Sequence, residues 1–351
     1  MAPIGFDGLP GWSRKQAQEA WPAFLASARA VLGGSPLRPA RRETHALRRL
    51  CALAEQAGPD ADADAFFRAS FRPRALETQG FLTAYYEPEL EARLTPAQGF
   101  QTPVYPRPPD LIDLLRQPAL RPDGWDRRIE GARLCTKDRL TPYWSRAEID
   151  QCGVPSVRPI AWVRDAVDLF YAQVQGSARV VTPNQTARLI YDGRNGRPYT
   201  SIGRILLDRK ALTVEEMSVG SIKTWLRAAG LKDGDLGRQI LHCNESYIFF
   251  RLDTERGGPI GGQGIDLFPL RSIAIDRSIW PYGAPFWIAA DIPSAGMSPE
   301  RGRLWIAQDT GSAIVGPARF DLFVGSGQEA ERIAGAVRHA AQCFVLEPWE
   351  G

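Results

Sequence analysis

From Tyr247 onward the chain never sustains a β-forming run for long. Strand-forming stretches at 247–252, 273–275, 285–290, 304–307 and 320–324 are each cut short by glycine or proline, and the same habit marks 80–90 and 100–105. Short strands with turns at this frequency suggest a closed barrel rather than a parallel sheet. With 351 residues the chain has room for about two domains. A hydrophobic fraction of 44% is enough to give each a core and rules out a disordered chain. No run of about 18 uncharged apolar residues exists, so no membrane-spanning helix is predicted.

Upstream of residue 75 the signals are helical. Residues 15–32 carry Trp21, Phe24, Leu25 and Val31 at helical spacing and end at Gly33-Gly34. A second helix is predicted over 40–56, stopped by Gly58-Pro59, and a third over 61–71. The stretch Thr-Pro-Val-Tyr-Pro-Arg-Pro-Pro-Asp (102–110) holds four prolines, which makes it an extended connector and a candidate domain boundary. Helix signals follow at 160–174. A hairpin is predicted between 187–191 and 198–207, turning through Asp192-Gly193 and Asn195-Gly196. Thr-Val-Glu-Glu (213–216) has the spacing of a capping box opening a helix that ends at Gly230, and 235–241 predicts another. Residues 329–343 predict a last amphipathic helix and 344–347 a closing strand.

The charge balance is nearly even, 43 basic against 40 acidic residues, and only five of the basic residues are lysine. The arginines are spread over the whole chain, so no basic patch argues for nucleic acid. Five cysteines (Cys51, Cys135, Cys152, Cys243, Cys343) form an odd set without a C-x-x-C pair, which speaks against a zinc cage and for buried structural thiols. An oxidising compartment would permit one disulfide, for example Cys135 with Cys152. Three histidines (His45, His242, His339) make a Ser-His-Asp or metal-hydrolase reading poor. Gly325-Ser-Gly327-Gln-Glu-Ala330 mimics a dinucleotide fingerprint but lacks the second strand and the acidic residue about 20 positions on, so it reads as a glycine turn before a helix. No cofactor is implied. Residues 1–7 show neither the basic nor the apolar region of a secretion leader, which leaves the compartment open.

Two carboxylates in very apolar sequence stand out. Asp309 closes a β run and enters a Thr-Gly turn, where an Asx turn is an equally good account. Asp321 lies between Phe320 and Leu322, and an acid in mid-strand is costly unless it is paired or useful. Desolvation there raises its pKa, as a general acid requires. Arg319, on the same strand face, acts the other way, and a solvated edge or a salt bridge with Arg319 stays open. In Gly-Phe-Leu-Thr-Ala-Tyr-Tyr-Glu-Pro (80–88), Thr83, Tyr85 and Glu87 share one strand face and Tyr86 takes the other. Tyrosine rings flanked by hydroxyl and carboxyl groups suit sugars, although plain barrel core explains them too. Gln175, Gly176 and Ser177 follow a helix exit, where a glycine admits close approach of a ligand or simply caps the helix.

These pieces, in order, resemble a known family. Gly-Phe-Leu-Thr-Ala-Tyr-Tyr-Glu-Pro (80–88), Val-Gln-Gly-Ser (174–177), Tyr-Thr-Ser-Ile-Gly-Arg (199–204), Ala-Gln-Asp-Thr-Gly-Ser-Ala-Ile (307–314) and Phe-Asp-Leu-Phe-Val-Gly (320–325) are similar to the motifs of the membrane-bound lytic murein transglycosylase A family (MltA), with its C-terminal 3D domain. Ala84 and Ser312 depart from it by standing where the family often has glycine, and five cysteines are more than it leads one to expect. The resemblance implies a mainly β, α+β fold. A double-psi β-barrel is expected from residues 75–107 and 244–351, with a small β domain inserted at 108–243, N-terminal helices over 1–74, and the substrate groove between the two β domains.

The implied activity is cleavage of the β-1,4 bond between N-acetylmuramic acid and N-acetylglucosamine in peptidoglycan, leaving a 1,6-anhydro end without a metal. The resemblance makes Asp321 the catalytic aspartate and Asp309 a second acid of the site, with Thr83, Tyr85, Tyr86, Glu87, Gln175, Gly176 and Ser177 as groove residues. It also implies a monomer acting on glycan strands in the periplasm, associated with the outer membrane, with wall-remodelling proteins as partners. Two other classes stay open, a hydrolytic glycosidase of the same barrel type and a non-catalytic wall-binding β module.

Overall fold

Three capped helices open the chain. Ser13, Thr44 and Asp62 each accept a backbone N–H of the first turn, starting α1 (Arg14–Gly33), α2 (His45–Ala57) and α3 (Ala63–Ser70). The computed structural model describes residues 4–34, 36–136, 139–254, 257–298, 301–311 and 313–349, so Ser312 lies outside the described residues. After α3 come β1 (Phe71–Ala75) and β2 (Gly80–Glu87). The chain then runs through β3 (Glu89–Arg93), β4 (Thr102–Val104), β5 (Ile112–Asp113), β6 (Gly131–Thr136), β7 (Arg139–Pro142), α4 (Arg146–Cys152), β8 (Ala161–Val163), α5 (Ala166–Gln175), β9 (Ser177–Val181) and β10 (Thr186–Arg194). The helices α6 (Ile202–Asp208), α7 (Val219–Ala228) and α8 (Leu236–His242) precede β11 (Ile248–Asp253). The last stretch is β12 (Ser272–Ala274), β13 (Pro285–Ala289), β14 (Arg303–Asp309), β15 (Arg319–Ser326), α9 (Gly327–Ala336) and β16 (Arg338–Pro348). Among the described residues no helix is long and apolar enough to cross a membrane.

Two compact units result, residues 1–87 with 256–351 and residues 88–255. The first holds a closed six-stranded barrel in which β2, β16, β13, β14, β12 and β15 pair in turn and β15 returns to β2; β1 adds to the outside of β16. Every barrel strand sends alternate residues inward, including Leu82, Tyr86, Ile273, Phe286, Trp305, Phe320, Leu322 and Val345. The opposite faces of β13, β14 and β16, with Trp287, Leu304, Ile306 and Phe344, are covered by Trp21, Phe24 and Phe67 of the N-terminal helices. The second unit pairs β11, β10, β9, β3, β8 and β4 in one sheet, backed by Leu169 and Ala172 of α5, and carries a three-stranded sheet of β5, β6 and β7. Helices α6, α7 and α8 pack on the other side of α5 around Val167 and Phe170.

Several expectations fail here for physical reasons. The chain passes between units at 87/88 and 255/256 rather than at 107/108 and 243/244, because β3 and β4 pair with β8 and β9, and β11 pairs with β10. The four-proline stretch is therefore no linker. It begins as β4, at the sheet edge, where a missing N–H costs little. No hairpin joins 187–191 to 198–207: β10 is sandwiched between β9 and β11, and 202–208 is helix. Asn195 is instead a buried clamp, its Nδ2 donating to Trp144 O and Glu245 O at 2.8 Å each. The Thr213–Glu216 box forms, with Glu216 N donating to Thr213 Oγ1 at 3.3 Å, but it closes a turn and α7 starts later behind Ser218. The last helix stops at Ala336 because β16 is needed by three partners, β1, β13 and β2. Gly325 and Gly327, at φ 117° and 82°, make the glycine turn expected before α9. All five thiols are free, and Cys135, Cys152 and Cys243 are exposed rather than buried.

Candidate active site

The barrel alternation decides where Asp321 points. Phe320 and Leu322 fill the barrel, so the residue between them turns outward on β15. Parallel pairing with β2 sets Asp321 opposite Thr83, and the Thr83 Oγ1 hydroxyl donates to Asp321 Oδ1 at 2.5 Å. Thr83 in turn accepts from Arg319 Nη2 at 2.8 Å, while Nη1 of the same guanidinium donates to Phe320 O at 2.5 Å. Arg319 thus reaches the carboxylate through the threonine hydroxyl.

On its other side Asp321 pairs through β12. Ala274 is opposite both Asp321 and Asp309, so the two acids stand on strands flanking a methyl-sized residue. The β12–β14 register slips by one residue at Gln308, and this bulge re-aims the end of β14. Asp309 collects three donors: Tyr85 OH on Oδ2 at 2.8 Å, and the Gly262 and Thr310 amides on Oδ1 at 2.7 and 2.8 Å. Burial is the main influence on both carboxyls and raises both pKa values. For Asp309 the Tyr85 hydroxyl, the two amides and Arg38 oppose it; for Asp321 the Thr83 hydroxyl and Arg319 oppose it, while the Asp309 charge adds to it. Burial and the Asp309 charge hold the Tyr85 hydroxyl well above its ordinary value, so it stays a proton donor. Such a pair can keep one carboxyl protonated beside one that is ionised. Among the described residues no three His, Cys, Asp or Glu side chains converge as metal ligands would.

The MltA specific insert domain family matches residues 81–251 and the 3D domain family residues 271–347. The crystal structure of a membrane-bound lytic murein transglycosylase from Agrobacterium tumefaciens superposes with a TM-score of 0.84 at 36% identity, over 99% of this chain and 97% of that one. The chain belongs to the membrane-bound lytic murein transglycosylase A family. Membrane-bound lytic murein transglycosylase A from Vibrio cholerae is 31% identical over 215 residues, which are 60% of this chain and 49% of that protein. The match thus spans about half the length of that relative. The structure of Escherichia coli MltA with bound chitohexaose is 25% identical with a TM-score of 0.64, covering 87% of this chain and 83% of that one.

Of the residues singled out by the MltA resemblance, Thr83 and Tyr85 meet the two aspartates directly. Tyr86 does not. It is 4% exposed among the barrel core residues, because alternation along β2 turns it inward when Thr83 and Tyr85 turn out. Glu87 is 1% exposed and accepts from Ser326 Oγ at 2.7 Å, tying the ends of β2 and β15. Gln175, Gly176 and Ser177 form the α5–β9 junction of the second unit, with Gly176 as the left-handed helix cap at φ 83° and Ser177 paired with Ile190. Arg38, Gly262 and Tyr282 escaped the sequence reading although all bear on Asp309, and Thr310 entered it only as part of the turn and motif that follow Asp309. A signal for one of them was present in the glycine-dense run from Gly257 to Gly264, since a Cβ on Gly262 would lie 2.5 Å from the Tyr282 hydroxyl.

Proposed function

We propose that this chain is a peptidoglycan lytic transglycosylase that cleaves the β-1,4 bond between N-acetylmuramic acid and N-acetylglucosamine with Asp321 as its single acid and base. The observation that carries the reading is the unequal solvation of the two carboxylates. Asp309 has three protein donors and is the better anion, while Asp321 has one and is the better holder of a proton. The chitohexaose in the E. coli relative supports a saccharide ligand.

Protonated Asp321 gives its proton to the glycosidic oxygen as the bond to the muramoyl anomeric carbon breaks. The ionised Asp321 then removes the proton of the C6 hydroxyl of that sugar, whose oxygen closes on the anomeric carbon and leaves the 1,6-anhydro ring. An internal nucleophile has an effective molarity of about 10⁵ M or more, so no second carboxylate is needed to activate water. Asp309 stays ionised, favours the protonated form of Asp321 by like charge, and is fixed by Tyr85. Thr83 orients Asp321. Gln175, Gly176 and Ser177 of the second unit are assigned to saccharide binding on the strength of their Val-Gln-Gly-Ser motif (174–177), whereas Glu87, 1% exposed, is assigned to holding β2 against β15. The barrel is assigned double-psi connectivity, and the site of action is the periplasm, at the outer membrane.

Digestion of purified sacculi followed by mass spectrometry tests the proposal. The wild-type protein is expected to release muropeptides one water lighter than hydrolysis products, and Asp321→Asn to release none while keeping its fold. Products of full hydrolytic mass, or turnover surviving in Asp321→Asn, would overturn it.

A further inference from the structure

β14 carries a polar residue where its neighbours are apolar. Leu304 and Ile306 turn toward α1 and join the helix–barrel core, and Gln308 reaches the same helix with no exposed surface. A buried amide is costly unless its groups are paired. Gln308 Nε2 donates to Ala23 O and Ser27 Oγ at 2.8 Å each, and its Oε1 accepts from Ser272 Oγ. Gln263, itself 5% exposed, completes the network. Its Oε1 accepts from Ser27 Oγ at 2.9 Å, its Nε2 donates to Ser27 O at 3.1 Å, and its backbone N donates to Gln308 O at 3.0 Å. Gln263 is thus fastened to α1 by its side chain and to the β14 bulge by its backbone.

The residue before it is Gly262, whose amide donates to Asp309 at 2.7 Å. The turn is pressed against its surroundings: a Cβ on Gly261 would lie 2.4 Å from Gln308 O, and one on Gly262 2.5 Å from Tyr282 OH and 3.4 Å from Asp309 Oδ1. We propose that Gln263 is a positioning residue for the catalytic carboxylates, holding the Gly262 amide on Asp309 by anchoring the 261–263 turn to Ser27 of α1 and to the bulge at Gln308. The N-terminal helix is then part of the machinery that keeps Asp309 ionised. The other groups facing Asp309 are Tyr85 on β2, the Thr310 amide, Arg38 after α1, Tyr282 before β13 and Asp321 on β15. Of these Arg38 shares the turn, its backbone N donating to Gly262 O at 3.0 Å, so its charge is positioned together with the Gly262 amide. The inference rests on the reading of Asp309 as the anionic partner of Asp321.

The test separates the two. In full-length Asp321→Asn protein Asp309 titrates without its neighbour, and its carboxyl ¹³C resonance can be followed against pH without any turnover. Adding Gln263→Met, which keeps bulk and removes the side-chain hydrogen bonds, is expected to raise the Asp309 midpoint by about one pH unit, the loss of one of three donors to the anion. Ser27→Ala is expected to move it in the same direction by less, and it decides the matter if Gln263→Met does not fold. An Asp309 midpoint that stays put in the folded variants overturns the proposal whatever the role of Asp321. In the otherwise wild-type chain, Gln263→Met should lower kcat by up to about tenfold with KM within about twofold. It should have no further effect in Asp309→Asn. An equal loss with and without the Asp309 carboxylate would mean a merely structural role and overturn it too.

Discussion

Replacing Thr83 with valine removes a hydroxyl and little else, and it acts on Asp321 with a definite sign. The hydroxyl donates to Asp321 Oδ1 at 2.5 Å and so stabilises the ionised carboxylate. A hydrogen bond to a charged group contributes about 1.5–3 kcal/mol, and 1.36 kcal/mol corresponds to one pH unit. Asp321 is only half-buried, so water replaces part of the lost bond and the lower end applies, about one pH unit. Arg319 cannot swing freely onto the carboxylate, because its Nη1 stays on Phe320 O at 2.5 Å. Asp321 in Thr83→Val therefore holds its proton to higher pH. If Asp321 is the acid, the alkaline limb of turnover moves up by about one pH unit while the plateau falls, since the acid has lost its orienting partner. Thr83→Ser keeps the hydroxyl and should leave the limb in place. The assay is the rate of anhydro-muropeptide release from sacculi across the pH range, fitted for the macroscopic midpoints of the carboxylate pair. A limb that moves down, or does not move, refutes the assignment of Asp321 as a proton donor whose anion Thr83 stabilises.

Asp309→Asn removes the like charge that favours protonated Asp321, so the same limb should move down, opposite to Thr83→Val; a limb displaced upward in both variants would contradict the charge assignment. Asp321→Asn should stabilise the fold. Burial raises the folded pKa of Asp321 above its unfolded value, so its contribution is fully present below about pH 4, where both states are protonated, and is lost as pH rises through the folded value. The variant's melting temperature should exceed wild type by roughly a few degrees near pH 8 and match it in acid, and a gap independent of pH would count against the raised pKa. Gly262→Ala should cost about 1–3 kcal/mol in urea melts from the Cβ forced onto the Tyr282 hydroxyl, with a larger fall in turnover than in stability; an unchanged urea midpoint would show that the turn has room to spare.

What could be read in advance depended on how local the physics was. The strands β11 to β15 sit within a residue or two of the short runs seen in the sequence, because their β-branched and aromatic residues are local signals, with glycine or proline close to most of the runs, although β15 continues through Gly325. Asp321 was legible for a related reason, since a carboxylate between Phe320 and Leu322 violates the apolar pattern at the residue itself. Residues 338–343 were not, although the strand at 344–347 was: the alanines at 340 and 341 favour helix locally, and only the hydrogen-bonding needs of β2 and β13, both distant in sequence, make this stretch strand. Tyr86 was misplaced because two adjacent tyrosines look alike until the inward face of β2 is fixed by its barrel neighbours. The glycine-dense run marks the tight turn at Gly262, but the target of its amide and the bulge at Gln308 leave no pattern in sequence, since a backbone donor belongs to every residue but proline and its acceptor is 47 positions away.

The donor count bears directly on which chemistry such a pair can support. A glycosidase that uses water or a covalent intermediate needs its second carboxylate to approach the sugar or the water with an available oxygen. Asp309 does not offer one freely: Oδ1 is shared by two amides and Oδ2 is taken by a tyrosine hydroxyl that burial keeps protonated. Freeing Oδ2 would leave the buried Tyr85 hydroxyl without this acceptor, and freeing Oδ1 would leave two backbone N–H groups short, each at a cost of about 1–3 kcal/mol. Asp321 faces no such obstacle, with one donor and a second oxygen that accepts no protein hydrogen bond among the described residues. On the proposed reading, these hydrogen bonds immobilise one acid and leave the other able to exchange a proton, an arrangement suited to a reaction in which the substrate brings its own nucleophile.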